Sequence, residues 1–291
     1  MEGMKIDRRP RLRNPILIVA WPGMGEVAFK AVSYLIDKLK AQEFAEIPPE
    51  EFFYLTASVI DNGVLSLPEF PFSKFYFWKN PAKTKNAGLA DQNNDLIFFL
   101  SNAQPDLIKA ESYCQRIISL AHRFKVKTVI SFAAMPQPID HTQPVNVWFT
   151  GVSAEINNLL KKFNLTPMRE GQISGMNGLF LGIAKKEGMQ GFCLLGDIPL
   201  YTIQIENPKA SHAVLEAFCK IFGVKIDLSQ LLDQSPIVET EINKLIDYLK
   251  LGAQGPGPIS EEDIEKIKKS LSQFTKLPVS IKDKIEKLFE Q

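Results

Sequence analysis

Gly23-Met-Gly25-Glu-Val-Ala28 follows the apolar run Pro15–Ala20 and leads into a helical pattern. A strand that turns through two glycines into a helix can hold a phosphate, because backbone N–H groups at the turn and the helix N-terminus attract anions. The spacing G-x-G-x-x-A is the loose form of a dinucleotide fingerprint. Two features weigh against a nucleotide. The fingerprint needs an acidic residue about 20 positions on, at the end of a second strand. Here Glu43 and Glu46 end no apolar strand, and Asp61 comes too late. In addition, Glu26 is expected in the first helical turn, where a carboxylate repels phosphate. The turn therefore reads first as a tight connection in which Gly23 and Gly25 allow close helix–sheet packing. A neutral or cationic small ligand comes second and a dinucleotide third.

Other polar residues gather where predicted strands end. Ser101-Asn102 follows LIFFL, Met135-Pro136 follows TVISFA, and Gly196-Asp197 follows FCLL. Open α/β sheets bind ligands at that rim. Gly23, Gly25, Asn102, Asn177 and Asp197 are thus the candidate ligand-binding residues, and a ligand site requires the last three to converge on one pocket. Asp197 also reads as a cap before Pro199. Asp61-Asn62-Gly63 reads as a turn, with a role at the rim as the alternative.

No catalytic set stands out. The chain has no G-x-S-x-G elbow. His122, His141 and His212 share no spacing for a triad or a metal, although His141 follows a predicted sheet strand. Cys114, Cys193 and Cys219 form no CxxC and sit in apolar or helical patterns, as buried free thiols do in a reducing compartment. No metal and no cofactor is expected.

The positioning elements read as follows. Pro15–Ala20, Leu96–Leu100, Thr128–Ala133 and Phe192–Leu195 are apolar without alternation, the pattern of strands buried on both faces of a parallel sheet. Helical patterns cover Gly25–Leu39, Pro105–Arg123, a segment capped by Ser153, Asn177–Lys186 and Pro208–Phe222. The alternation predicts βαβ units in a three-layer α/β/α sandwich. Residues 52–60 and 75–79 are aromatic-rich and read as extra strands near an edge. Beyond 235 the composition changes. A helix over 236–251 precedes the Gly/Pro linker 252–260, and two short charged helices are expected at 261–272 and 280–290. The domain reading is an α/β/α unit over 1–228 and a helical extension over 229–291.

With 291 residues, 34 basic against 33 acidic and 45% hydrophobic, the chain can build a full core and carries no general basic footprint for nucleic acid. The basic run Arg8 to Arg13 reads as a solvated tail. No signal peptide and no membrane span are expected, so the default compartment is the cytoplasm.

Several segments taken together resemble the PAC2 (proteasome assembly chaperone 2) family. Ile18-Val-Ala-Trp-Pro-Gly-Met-Gly-Glu-Val is similar to its opening strand and turn. Lys125-Val-Lys-Thr-Val-Ile-Ser-Phe-Ala-Ala-Met-Pro is similar to its internal strand. Gln172-Ile-Ser-Gly-Met-Asn-Gly-Leu-Phe-Leu-Gly-Ile-Ala with Gly191-Phe-Cys-Leu-Leu-Gly-Asp is similar to its later helix and strand. The resemblance covers about residues 15–225. It implies a nucleoside-phosphorylase-like α/β/α fold that self-associates into a homo-oligomer, with a possible protein partner of proteasome type. The chain departs from the pattern at Ala133-Ala134, where glycines are usual, and at Asp197-Ile198, where Glu-Thr is usual. Some archaeal relatives reach proteasome-type rings through a tail ending hydrophobic–Tyr–X, whereas this chain ends Phe289-Glu290-Gln291. The leading expectation is an oligomeric, non-catalytic interaction scaffold. The alternative is a binder or enzyme for a nucleoside-like ligand at the strand rim.

Overall fold

The computed structural model describes residues 3–81 and 94–254, with side chains of the last helix described as far as Lys244. In chain order the elements are β1 (Lys5–Ile6), β2 (Ile16–Ala20), α1 (Val27–Lys38), β3 (Gln42–Glu46), β4 (Val59–Asp61), β5 (Val64–Ser66), β6 (Ser73–Trp78) and β7 (Leu96–Ser101). They continue as α2 (Ala110–Arg123), β8 (Thr128–Gln137), β9 (Val147–Gly151), α3 (Ala154–Leu160), β10 (Thr166–Pro167), α4 (Met176–Lys186), β11 (Gln190–Pro199), α5 (Pro208–Phe222) and α6 (Ser229–Gln254).

Among the described residues, nine strands form one sheet in the order β1-β3-β6-β7-β2-β8-β11-β9-β10. Its centre, β7-β2-β8-β11, is parallel. These strands lack alternation because both their faces are covered. Ile16, Ile18 and Ala20 join one core with side chains of α1 and α5, while Leu17, Val19 and the next residue, Trp21, join a second core with α2 and α4. The same split divides Phe98 from Ile97 and Phe99, and Leu194 from Cys193 and Leu195. The three-layer α/β/α arrangement follows.

The sheet is mixed, not wholly parallel. β6 runs antiparallel to β7 and to β3, and β9 runs antiparallel to β11. Of residues 75–79, those up to Trp78 do belong to a strand, β6, and Lys79 lies just beyond it. Residues 52–60 do not form one strand. Phe52 and Phe53 are buried in a loop, where their rings pack on Tyr113 at 4.9 and 5.9 Å. Only from Val59 does the chain pair, in a separate two-stranded hairpin closed by Asn62-Gly63. Both turn residues have positive φ (49° and 80°), as a two-residue hairpin loop requires.

Local signals set the helix ends. The Ser153 hydroxyl accepts from Ile156 N–H at the start of α3, and Asn207 caps α5 by accepting from Ala210 N–H at 2.9 Å. Gly188 and Gly223 take positive φ just past α4 and α5. α6 begins at Ser229 and lies on α5, with Leu231 and Ile242 buried. It continues through residues 252–254, where the linker was expected to begin. The remaining linker and the two short helices expected beyond it lie outside the described residues. Among the described residues, no helix is long and apolar enough to cross a membrane.

Candidate functional site at the strand rim

The loops that leave β2, β7, β8 and β11 meet at one rim of the sheet. The turn after β2 is held from outside. Gly25 N–H donates to Ile203 carbonyl at 2.9 Å, and Gly25 carbonyl accepts from Asn207 N–H at 2.8 Å. Gly25 has φ +61° and Glu26 φ +51°, so the chain enters α1 through two consecutive left-handed residues. Glu26 is the residue before α1, not part of its first turn. With Gly25 N–H engaged by the loop before α5, it is not presented to an anion. The turn thus joins the 203–207 loop to α1. Lys30 and Glu206 reinforce this joint at 2.5 Å, and Ser211 Oγ donates to Val27 carbonyl at 3.3 Å.

Asn177, in the first turn of α4, is buried and faces the end of β2. Its Oδ1 accepts from Trp21 N–H at 3.0 Å, and its Nδ2 donates to Trp21 carbonyl at 3.1 Å. The side-chain amide imitates a neighbouring strand where no strand continues, so two buried backbone groups stay paired. The Trp21 ring is fully buried against Phe99 and Phe180, with centroids at 5.2 and 5.6 Å. Gln104 binds the same corner. It donates to Pro22 carbonyl at 2.9 Å and accepts from Met176 N–H, an open donor at the start of α4. A lone glutamine in a loop carries no spacing signal, and sequence reasoning passes over it.

Asn102 and Asp197 serve other junctions. Asn102 Oδ1 accepts from Phe72 N–H at 2.8 Å, and its N–H donates to Phe72 carbonyl, fastening the entry of β6 to the exit of β7. Asp197 is buried and accepts from Trp148 Nε1 at 2.5 Å, tying β11 to β9. Gly23 and Asn177 therefore share a small cleft with Gln104, Ala133, Ala134 and Ser174, and Asn102 and Asp197 do not line it. The cleft volume is about 40 Å³. That is room for a few waters.

Burial sets the chemistry of the remaining titratable groups. Cys114 and Cys193 are buried and Cys219 is half-buried, and desolvation pushes each thiol up to about 12, so all three stay protonated near neutrality. Burial also raises Tyr113 to about 12 and lowers His212. His141 is buried between the Tyr201 hydroxyl (2.8 Å to Nδ1) and Asn243 Oδ1 (3.0 Å to Nε2), so it links the loop after β8 to α6. Lys209 on α5 pairs with Glu239 on α6 at 2.9 Å. Among the described residues, no three His, Cys, Asp or Glu side chains gather as a metal cluster.

The rim's outer surface is different. Most of the large apolar side chains left exposed among the described residues lie on the loops that leave it: Met24, the 54–70 loop, Leu107–Ile108 and Leu200–Tyr201.

Comparison with known proteins agrees with this architecture. An uncharacterised protein of Methanocaldococcus jannaschii is 27% identical over 265 residues, 88% of this chain and 93% of that protein. The crystal structure of Pyrococcus furiosus PbaB, an archaeal proteasome activator, superposes with a TM-score of 0.70 at 27% identity, covering 83% of this chain and 97% of that one. Pyrococcus furiosus PbaA, an archaeal homologue of proteasome-assembly chaperone, shares the fold with a TM-score of 0.64 at 22% identity, over 87% and 95% of the two chains. The PAC2 family model matches residues 17–246, from β2 into α6. With that match spanning most of the chain, the protein belongs to the PAC2 family.

Proposed function

We propose that this chain is an oligomeric, non-catalytic scaffold that engages proteasome-type proteins during assembly or activation. The observation that carries the reading is the likeness, over 83% of this chain, to PbaB, which is described as an archaeal proteasome activator. The site chemistry supports it. The polar side chains of the rim are turned inward, Asn102 and Asn177 onto backbone groups and Asp197 onto the Trp148 indole, where they hold neighbouring segments together. What the rim turns outward is apolar, the composition of a surface that binds protein. A nucleoside-like ligand, the alternative, would need a pocket several times the cleft volume of about 40 Å³.

The test is direct. Purified chain is mixed with proteasome core subunits from the same organism, both unassembled and assembled, and followed by co-elution and by the rate of particle assembly or peptide hydrolysis. Co-elution together with a changed rate is expected. No co-elution with either form, and no change in either rate, would overturn the reading.

A further inference from the structure

The β4–β5 hairpin is the least explained part of the molecule. Among the described residues it pairs with no other strand, so neither of its edges is matched there. Its register places Ile60 opposite Leu65 on one face, and Leu67 follows just past the end of β5. They are 71%, 67% and 72% exposed. Val59 and Val64, on the other face, are also exposed. Asp61 carries the only charge between Ser58 and Pro68. An isolated two-stranded hairpin is marginal in water, and open edges are normally protected by lysines, prolines or a cover.

The base of the arm adjoins a second apolar patch. Asp106 N–H donates to Phe52 carbonyl at 2.9 Å. That bond brings the start of the 54–70 loop beside Leu107 and Ile108, which are 87% and 91% exposed. Leu107 opens the short 3-10 turn before α2, and nothing in that turn requires an apolar residue at the surface.

We infer that the hairpin is a self-association arm, whose Ile60, Leu65 and Leu67 side chains pack on the Leu107–Ile108 turn of a second copy of this chain. Three observations favour a copy over a transient partner. The arm and the patch lie on one rim, so each copy carries both halves of the contact. The arm offers almost no charge for steering or release, and interfaces of that composition are permanent ones. Tyr54, Ile60, Leu65, Leu67, Leu107 and Ile108 are 61–91% exposed, and six large apolar side chains at that exposure present an area on the order of the ~800 Å² per partner of a stable interface. The inference rests on the oligomeric part of the scaffold reading and supplies its contact.

The experiment measures solution mass by light scattering on the full chain, on Ile60→Lys/Leu65→Lys, and on Leu107→Lys. The substituted side chains are exposed, so circular dichroism melts should show an intact core. The full chain is expected as a multiple of 32.7 kDa, and both variants as single chains or with dissociation at least tenfold easier. A single-chain mass for the full chain, or an unchanged mass for the hairpin variant, overturns the inference. If the hairpin variant fails to fold, Leu107→Lys decides by the same readout. Capture of proteasome subunits is measured in parallel. A hairpin variant that keeps its mass but loses capture places the arm on the proteasome partner, which refutes self-association through it and leaves the scaffold reading standing.

Discussion

At the scale of single residues, Gly25 shows what the opening turn is for. Its φ of +61° is a left-handed conformation that side chains resist. A Cβ there would meet Ile198, Asn207 and Val27 at 3.4 Å, which is ordinary contact. The penalty for a side chain is therefore backbone strain, and it grows for a β-branched residue. Gly25→Ala is expected to destabilise by about 1–2 kcal/mol and Gly25→Val by about 2–4 kcal/mol. Urea or thermal melts check the order. Equal stability of both variants with the parent would mean that the turn is not held by the 203–207 loop. The need for a tight turn was readable from two glycines between a strand and a helix. Asn177 is the contrary case. Its amide completes Trp21, 156 residues away in the chain. No local pattern records such a pairing, so it could be suspected only as one polar residue near a rim.

At the scale of elements, legibility follows burial. The four central strands are covered on both faces and appear in the sequence as unbroken apolar runs. β3 (QEFAE) and β9 (VWFTG) lie nearer the edges and mix polar with apolar residues, so neither has such a run. Residues 52–60 misled because Phe52 and Phe53 are aromatic for packing on α2, not for pairing in a strand. The elements also silence the thiols. Cys114 on α2, Cys193 on β11 and Cys219 on α5 are held near 12 by burial, against an ordinary value of 9.0. At pH 8 the folded protein should react with a thiol-specific disulfide reagent at least tenfold more slowly than the same chain in denaturant, which should titrate three groups. The linked stability has a definite sign. A thiol whose folded value is raised contributes below about pH 9 and loses that contribution as pH rises toward 12. Fast native-state titration of all three thiols at pH 8 would contradict this burial.

At the scale of the whole molecule, the described core closes before the last 37 residues of the chain begin. Leu231, Ile242, the Lys209–Glu239 pair and the His141–Asn243 bond seat α6 on the core without them. Truncation after Gln254 should therefore leave a cooperative unfolding transition. The apolar residues beyond it, among them Ile264, Ile267 and Leu271, recur at helical spacing and need a surface. Removing them is expected to change the melting temperature or the solution mass. If both stay the same while capture of a proteasome ring is lost, the segment is a partner-binding tail and not a part of the assembly.

The strand order has one more consequence, in time. Val19 at the middle of the sheet pairs with Phe99 on one side and Ser131 on the other. Neither partner exists when β2 leaves the ribosome. Synthesis at ~5–20 residues per second delays the second partner by on the order of ten seconds. Until β7 is made, ILIVA, which is buried on both faces in the finished protein, has neither neighbouring strand to cover it. The nascent chain is therefore most vulnerable to aggregation early in translation, and the parallel centre of its sheet cannot close until β8 and β11 have been made.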